Sequence, residues 1–138
     1  MGLPILFEDE TGVYFLENIE KSTETVGDCV NCWIKIIYSI SGSKQVYETM
    51  KECGIPADGY ESLQYTREHI VFAIDKYPSL FAKINSCTNY SADDEILDSS
   101  NTADHPFREV APGSVFEKMF STVVQRARLH GVEIIPSK

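Results

Sequence analysis

The sequence has little positive charge. Its 138 residues include 12 Lys and Arg against 21 Asp and Glu, which gives a formal net charge of −9. The acids are concentrated in two segments, with seven acids and one Lys over residues 1–28 and six acids and one Arg over residues 87–113. Because binding to a phosphate backbone needs clustered Lys and Arg, we expect no direct contact with nucleic acid. Focused negative charge instead attracts cationic partners.

Long apolar runs are also missing from the sequence. The longest, such as residues 33–38, are far below the roughly 20 residues that a membrane-spanning helix requires. No basic stretch followed by an apolar run opens the chain, so we expect no signal peptide. These absences predict a cytoplasmic protein without membrane contact, and its four cysteines are then expected to be reduced thiols.

Motifs that name a reaction are absent as well. The sequence contains no Gly-rich phosphate loop, GxSxG elbow or dinucleotide fingerprint, and its three histidines show no metal-binding spacing. The acids at 93–95 lack the alternating oxygens and turn glycine of a calcium loop. We therefore expect no metal and no cofactor, and the sequence favours a binding protein over an enzyme.

What is present predicts one domain over residues 1–138 that contains a small β-sheet. Two β-prone runs at 4–8 and 13–19, separated by a turn that ends in glycine, predict a β-hairpin. Apolar residues alternate over residues 29–41, which predicts a long strand. Residues 132–135 predict a short C-terminal strand.

Three further segments have the spacing of helices. Residues 44–53 predict a helix that stops before a glycine and a proline. Residues 61–84 predict two helical segments split at Pro78, although the β-branched content of 69–75 leaves a strand open as the alternative. Ser114 and Glu117 form a capping box that opens a C-terminal helix.

Residues 86–113 show no periodicity and predict a long acidic loop. Because the predicted strands and helices are largely segregated along the chain, the sequence predicts an α+β fold. In it, three to four helices pack on one face of a small, mainly antiparallel sheet.

The first functional hypothesis is an acidic protein-binding module. It would act as an inhibitor or immunity-type protein that neutralises a basic partner such as a toxin or nuclease, a class it resembles in composition alone. The aromatic residues next to the acids would act as anchors. The predicted partner-binding residues are Glu8, Asp9, Glu10, Tyr14, Tyr90, Asp93, Asp94, Glu95, Asp98 and Phe107.

The alternative hypothesis is a small thiol-dependent enzyme or redox protein. Cys87 and His105 share the predicted loop, and a thiol–imidazole pair within hydrogen-bond reach is a nucleophile. Cys29 and Cys32 form a CxxC pair, but a redox pair needs to open a helix, whereas these residues lie in a predicted strand. In a strand, the two thiols point to opposite faces.

Overall fold

The protein is an antiparallel sheet with two α-helices in the part of the chain that the computed structural model describes, residues 5–24, 27–129 and 131. Of these residues, 48% are strand and 25% are helix. The strands are β1 (Ile5–Glu8), β2 (Gly12–Glu24), β3 (Gly27–Tyr38), β4 (Leu63–Ala73), β5 (Phe81–Ser91), β6 (Ile96–Asn101) and β7 (Arg108–Glu109). The helices are α1 (Ile40–Glu52) and α2 (Val115–Leu129), and a 3-10 turn covers Tyr60–Ser62.

The sheet follows the order of the chain. Its strands pair antiparallel in the order β1-β2-β3-β4-β5-β6, and β7 pairs with the beginning of β5. The sheet curls into a half-barrel. Because each strand pairs antiparallel with its predecessor, successive connections alternate between the two ends of the sheet. Every second connection therefore lies at the same end.

The hydrophobic core lies between one face of this sheet and α2. We call this face the core face; it contains Leu16, Ile34, Ile36, Ile70 and Phe72, which pack with Met119, Phe120 and Val123 of α2. The alternate side chains of the strands form the outer face. A small second cluster on the outer face consists of Cys29, Val71 and Ala73.

The predicted fold class is therefore wrong in its proportions. The sheet is large rather than small, and two α-helices, not three to four, lie in residues 5–24, 27–129 and 131. The main error is residues 61–84, where β4 and the beginning of β5 replace the two predicted helices. Residues 70–73 are buried on both faces of the sheet. Full burial hides the period of two that identifies a strand.

The predicted loop at 86–113 is also wrong. It contains most of β5, all of β6 and the short β7. β6 is an edge strand whose residues are mostly exposed, so it carries few apolar side chains and shows no alternation. One domain over residues 1–138 stays a prediction.

The local signals at the ends of elements are partly confirmed. The hairpin of β1 and β2 is present, but the long strand ends at Tyr38 rather than residue 41, because Ser39 caps α1 and its Oγ accepts from the Gly42 N–H at 2.9 Å. At α2, Ser114 Oγ accepts from the Glu117 N–H, as predicted. The predicted strand at 132–135 lies outside the described residues.

Candidate functional site

Both acidic turns lie at the same end of the sheet. The β1–β2 turn and the β5–β6 turn are each formed at the end where β3 runs into α1 and where β4 begins. We call this region the acidic end; it comprises residues 8–11, 39–41 and 91–96. Four strand spacings of about 4.8 Å separate the two turns along the sheet, so their charges lie within roughly 20 Å.

Hydrogen bonds hold the first acidic turn in place. The Asp9 carboxylate accepts from the backbone N–H groups of Thr11 (2.9 Å) and Gly12 (3.3 Å). Ser39 Oγ donates to the Glu10 carbonyl at 2.6 Å, which joins the turn to the beginning of α1. The Asp9 carboxylate is therefore part of the turn, whereas the Glu10 side chain is exposed.

The second acidic turn is held in a similar way. Ser91 Oγ accepts from the backbone N–H groups of Asp93 and Glu95, both at 3.2 Å. The Tyr65 hydroxyl donates to the Asp94 carboxylate at 2.8 Å, and the backbone of Asp94 is left-handed with φ 63°. Glu8, Glu10, Asp93 and Glu95 remain as exposed carboxylates, and none of the four pairs with another described residue.

The structure places two of the three predicted aromatic residues beside the acidic turns and the third at the opposite end of the sheet. Tyr90 lies near the acidic end and stacks on Tyr65 with ring centroids 4.5 Å apart. Tyr14 lies on the core face, packed against Phe7, and Phe107 lies toward the opposite end with the Cys29 cluster. Phe107 is therefore remote from the acidic turns, whereas Tyr14 lies beside the first turn, where burial and the Asp9 carboxylate raise the pKa of its hydroxyl.

Asp98 is also drawn into the interior network. The Tyr60 hydroxyl donates to its carboxylate at 3.3 Å. The side chains of Asn89, Thr66 and Tyr38 continue this chain of hydrogen bonds along the core face. Asp98 therefore contributes to the fold in addition to the charge of the surface.

The CxxC pair does not form a dithiol site. Cys29 lies in the outer cluster and Cys32 in the main core, on opposite faces of β3, as the strand prediction requires. Both are fully buried. Burial raises the pKa of the Cys32 thiol to about 12, and burial together with Glu24 raises that of Cys29. A thiol that stays protonated is inert toward disulfide exchange.

Cys87 and His105 do come together, in the wall of one pocket of about 480 Å³ between β4, β5 and the beginning of α2. No hydrogen bond joins them. Burial, Glu68 and Asp98 raise the pKa of the Cys87 thiol to about 12, which is opposite to the shift that a nucleophile requires. The geometry therefore gives no support to the thiol-enzyme hypothesis.

Sequence reasoning missed Glu68, which lines the same pocket. It faces the core side of β4, paired in register with Ile34 and Cys87, and burial raises its pKa to about 7. Its carboxylate makes no hydrogen bond or ion pair with another described residue. Reading residues 63–73 as a strand reveals it, because alternation then puts Glu68 on the face of Ile70 and Phe72.

The outer face carries cationic and aromatic side chains that pack on one another. Lys35 Nζ lies 4.4 Å from the centre of the Tyr65 ring, and Arg67 pairs with Glu17 at 3.2 Å. Trp33 stacks on the His69 ring with centroids 4.2 Å apart. Lys35 and Arg67 therefore contact partners within the outer face.

Comparisons of the chain with protein-family models, with curated proteins and with solved structures gave no match. Within the described residues, no three His, Cys, Asp or Glu side chains are grouped so that they would hold a metal ion. Neither α-helix of that part of the chain is long and apolar enough to cross a membrane.

Proposed function

We propose that the chain is an acidic protein-binding module that docks a basic partner protein through the acidic end. The single observation that carries the proposal is the topology, which brings two acidic turns, distant in sequence, to one end of the sheet. Complementary charge steers a basic partner to such a surface and excludes acidic ones.

The rigidity of the two turns supports this proposal. Each turn is held by a side-chain oxygen that accepts two backbone N–H groups, Asp9 Oδ1 in one and Ser91 Oγ in the other. A turn whose backbone is held in position before binding loses less conformational entropy when the partner docks. The exposed acids therefore form an ordered surface rather than a flexible tail.

Exposed apolar side chains at the same end also support binding. Ile40 at the beginning of α1 is 93% exposed, and Ile96 beside the second turn is 64% exposed. Apolar anchors surrounded by charged residues are the usual composition of a protein interface. In its narrower form the proposal is an inhibitor or immunity-type protein that covers the cationic site of a toxin or nuclease.

The test is retention of a partner by the immobilised protein, using lysate from its own source and elution with a salt gradient. The acidic-end variant combines Glu8→Gln, Glu10→Gln, Asp93→Asn and Glu95→Gln. The control combines Glu20→Gln, Glu24→Gln, Asp104→Asn and Glu109→Gln, four exposed acids toward the opposite end. Both variants change the net charge by the same amount.

We expect one stoichiometric basic protein that is released by rising salt, that is retained by the control and that is lost with the acidic-end variant. Inhibition of the activity of that partner would support the narrower form of the proposal. Equal loss with both variants would show that only the net charge matters. Retention by both, or no retention by the wild-type protein, would remove the acidic end as a docking surface.

A further inference from the structure

An unpaired carboxyl group faces the core side of the half-barrel. Its neighbours on the same face, Thr66 and Asn89, are satisfied by the hydrogen-bond chain that runs from Tyr38 to Tyr60. Glu68, one step along β4, has no such partner among the described residues. Glu68 is partly buried and lines the wall of a pocket, where its charged form is unfavourable unless a group that occupies the pocket pairs with it.

The pocket beside Glu68 has the size of a small-molecule site. Its volume of about 480 Å³ lies in the range of roughly 300–1,000 Å³ that is common for ligand pockets. Apolar side chains form much of its wall: Ala82, Ile84, Val110 and Phe116. Ser100 and Thr102 add hydroxyl groups. A ligand with a small apolar body therefore fits the lining.

The side chains around Glu68 do not pair a positive charge with its carboxylate, so we expect the ligand to supply one. Tyr14 of β2, Tyr38 of β3 and Cys87 of β5 surround it, and the pKa of each is raised, so all three are neutral near pH 7. The other ionisable side chains of the pocket wall are Lys83, His105, Arg108 and Glu109, of which none bonds to Glu68. Lys83 instead donates to the Ala103 carbonyl at 2.8 Å.

We propose that this pocket binds a small molecule with an apolar body and a protonated amine, and that the ammonium group pairs with the Glu68 carboxylate. A charge-assisted hydrogen bond in a partly buried site is stronger than a neutral one, and it gives the Glu68 carboxylate a partner that the described residues do not supply. This site lies on the core face and does not depend on docking at the acidic end.

The experiment titrates the whole chain with three probes of one shape at pH 8: 2-phenylethylamine, 2-phenylethanol and 3-phenylpropionate. Amide chemical shifts of residues around Glu68, followed by NMR, report binding at this pocket. We expect the amine to bind at least about tenfold more tightly than the alcohol, the gain of one charge-assisted bond. We expect the carboxylate to bind most weakly of the three.

Glu68→Gln should remove the preference for the amine, whereas Glu109→Gln, which neutralises an exposed acid of the same pocket, should retain it. A pH series on the wild-type chain tests the site without mutation. Because the pKa of Glu68 is about 7, lowering the pH to 5.5 should weaken amine binding about tenfold or more and leave the alcohol unchanged. The same series on His105→Gln separates Glu68 from the histidine.

Three results would overturn the proposal. They are equal affinity for the amine and the alcohol, tighter binding of the carboxylate through Arg108, and an amine preference that survives Glu68→Gln. The absence of shifts around Glu68 with all three probes would also reject it.

Discussion

On the core face of the sheet, aliphatic and aromatic side chains pack under α2, whereas on the outer face polar and aromatic side chains pack on one another. The core face excludes water through apolar burial, with a chain of hydrogen bonds at one end and an unpaired glutamate beside it. The outer face has only a small buried cluster, and stacking and ion pairing shield the rest. A change of charge or of polarity is therefore expected to alter the free energy of unfolding more on the core face than on the outer face.

The largest effect expected from this comparison is at Phe72. It is fully buried on the core face, with its ring 5.0 Å from Phe120 and 6.4 Å from Phe116. Phe72→Ala should lower the free energy of unfolding by about 3–5 kcal/mol in urea denaturation. Trp33→Ala on the outer face removes a larger but half-buried ring and should lower it less than half as much. Equal losses would show that both faces are packed as cores.

The next effect is the loss of one hydroxyl group on each face. Thr66 is 2% exposed and joins Tyr38 to Asn89 on the core face. Thr66→Val should lower the free energy of unfolding by about 1–3 kcal/mol, because it leaves buried polar groups unpaired. Thr88→Val, which breaks an exposed bond to Ser99 on the outer face, should change it by less than about 0.5 kcal/mol. Thermal or urea unfolding of the two variants would show whether burial decides the difference.

The pH dependence of stability separates Glu68 from the other groups. Its folded pKa, about 7, lies above the value of an unfolded glutamate, so the native state holds the proton more tightly. The stabilisation that protonated Glu68 gives to the folded state is therefore complete below about pH 4.5 and is lost as the pH rises through 7. This loss lowers the free energy of unfolding by about 2 kcal/mol, after allowance for the partial exposure of Glu68. Glu68→Gln should not show this loss.

The measurement is the difference in the free energy of unfolding between wild type and Glu68→Gln at pH 5 and pH 8. Burial lowers the pKa of His69, so that histidine changes stability in the opposite direction, but it is common to both proteins and cancels. An unchanged difference between the two pH values would mean that Glu68 is solvated and would weaken the proposed amine site.

The smallest effect concerns charge on the outer face. Glu17 pairs with Arg67, whose side chain is 45% exposed. Glu17→Gln should lower the free energy of unfolding by less than about 1 kcal/mol, and added salt should reduce the effect further. A loss as large as that of Thr66→Val would contradict the distinction between the faces.

The sequence predicted the elements whose signals are local. The turn before Gly12, the alternation through Val30, Cys32 and Ile34, and the box of Ser114 and Glu117 each depend on neighbours a few residues apart. The pattern over β4 favours helices and leaves a strand open as the alternative, because its buried residues satisfy both periods; β6 gives no signal because its exposed edge satisfies neither. Only pairing with β3 and β5 decides between those alternatives.

The residues of the candidate sites can likewise be predicted from the sequence only in part, because their positions depend on how the strands pair. The acids at 8–10 and 93–95 were identified from composition, but their position at one end follows from the antiparallel order of the strands. The sequence does not point to Glu68, because its side chain faces the core only in a strand and the spacing over residues 61–84 favours helices. Proximity in sequence assigns both Tyr14 and Phe107 to the acidic segments, and the fold keeps Tyr14 beside the first turn but carries Phe107 to the opposite end.

The sequence by itself determined the charge of this protein, its hairpin and the beginning of its last helix, because composition and short-range hydrogen bonding do not depend on the rest of the chain. The tertiary structure alone decided that the acidic turns share one end and that the Glu68 carboxyl group lies on the core face beside a pocket, without a partner among the described residues. Those two facts depend on which strands pair and in which register, and pairing is fixed by contacts between residues that are far apart in the sequence.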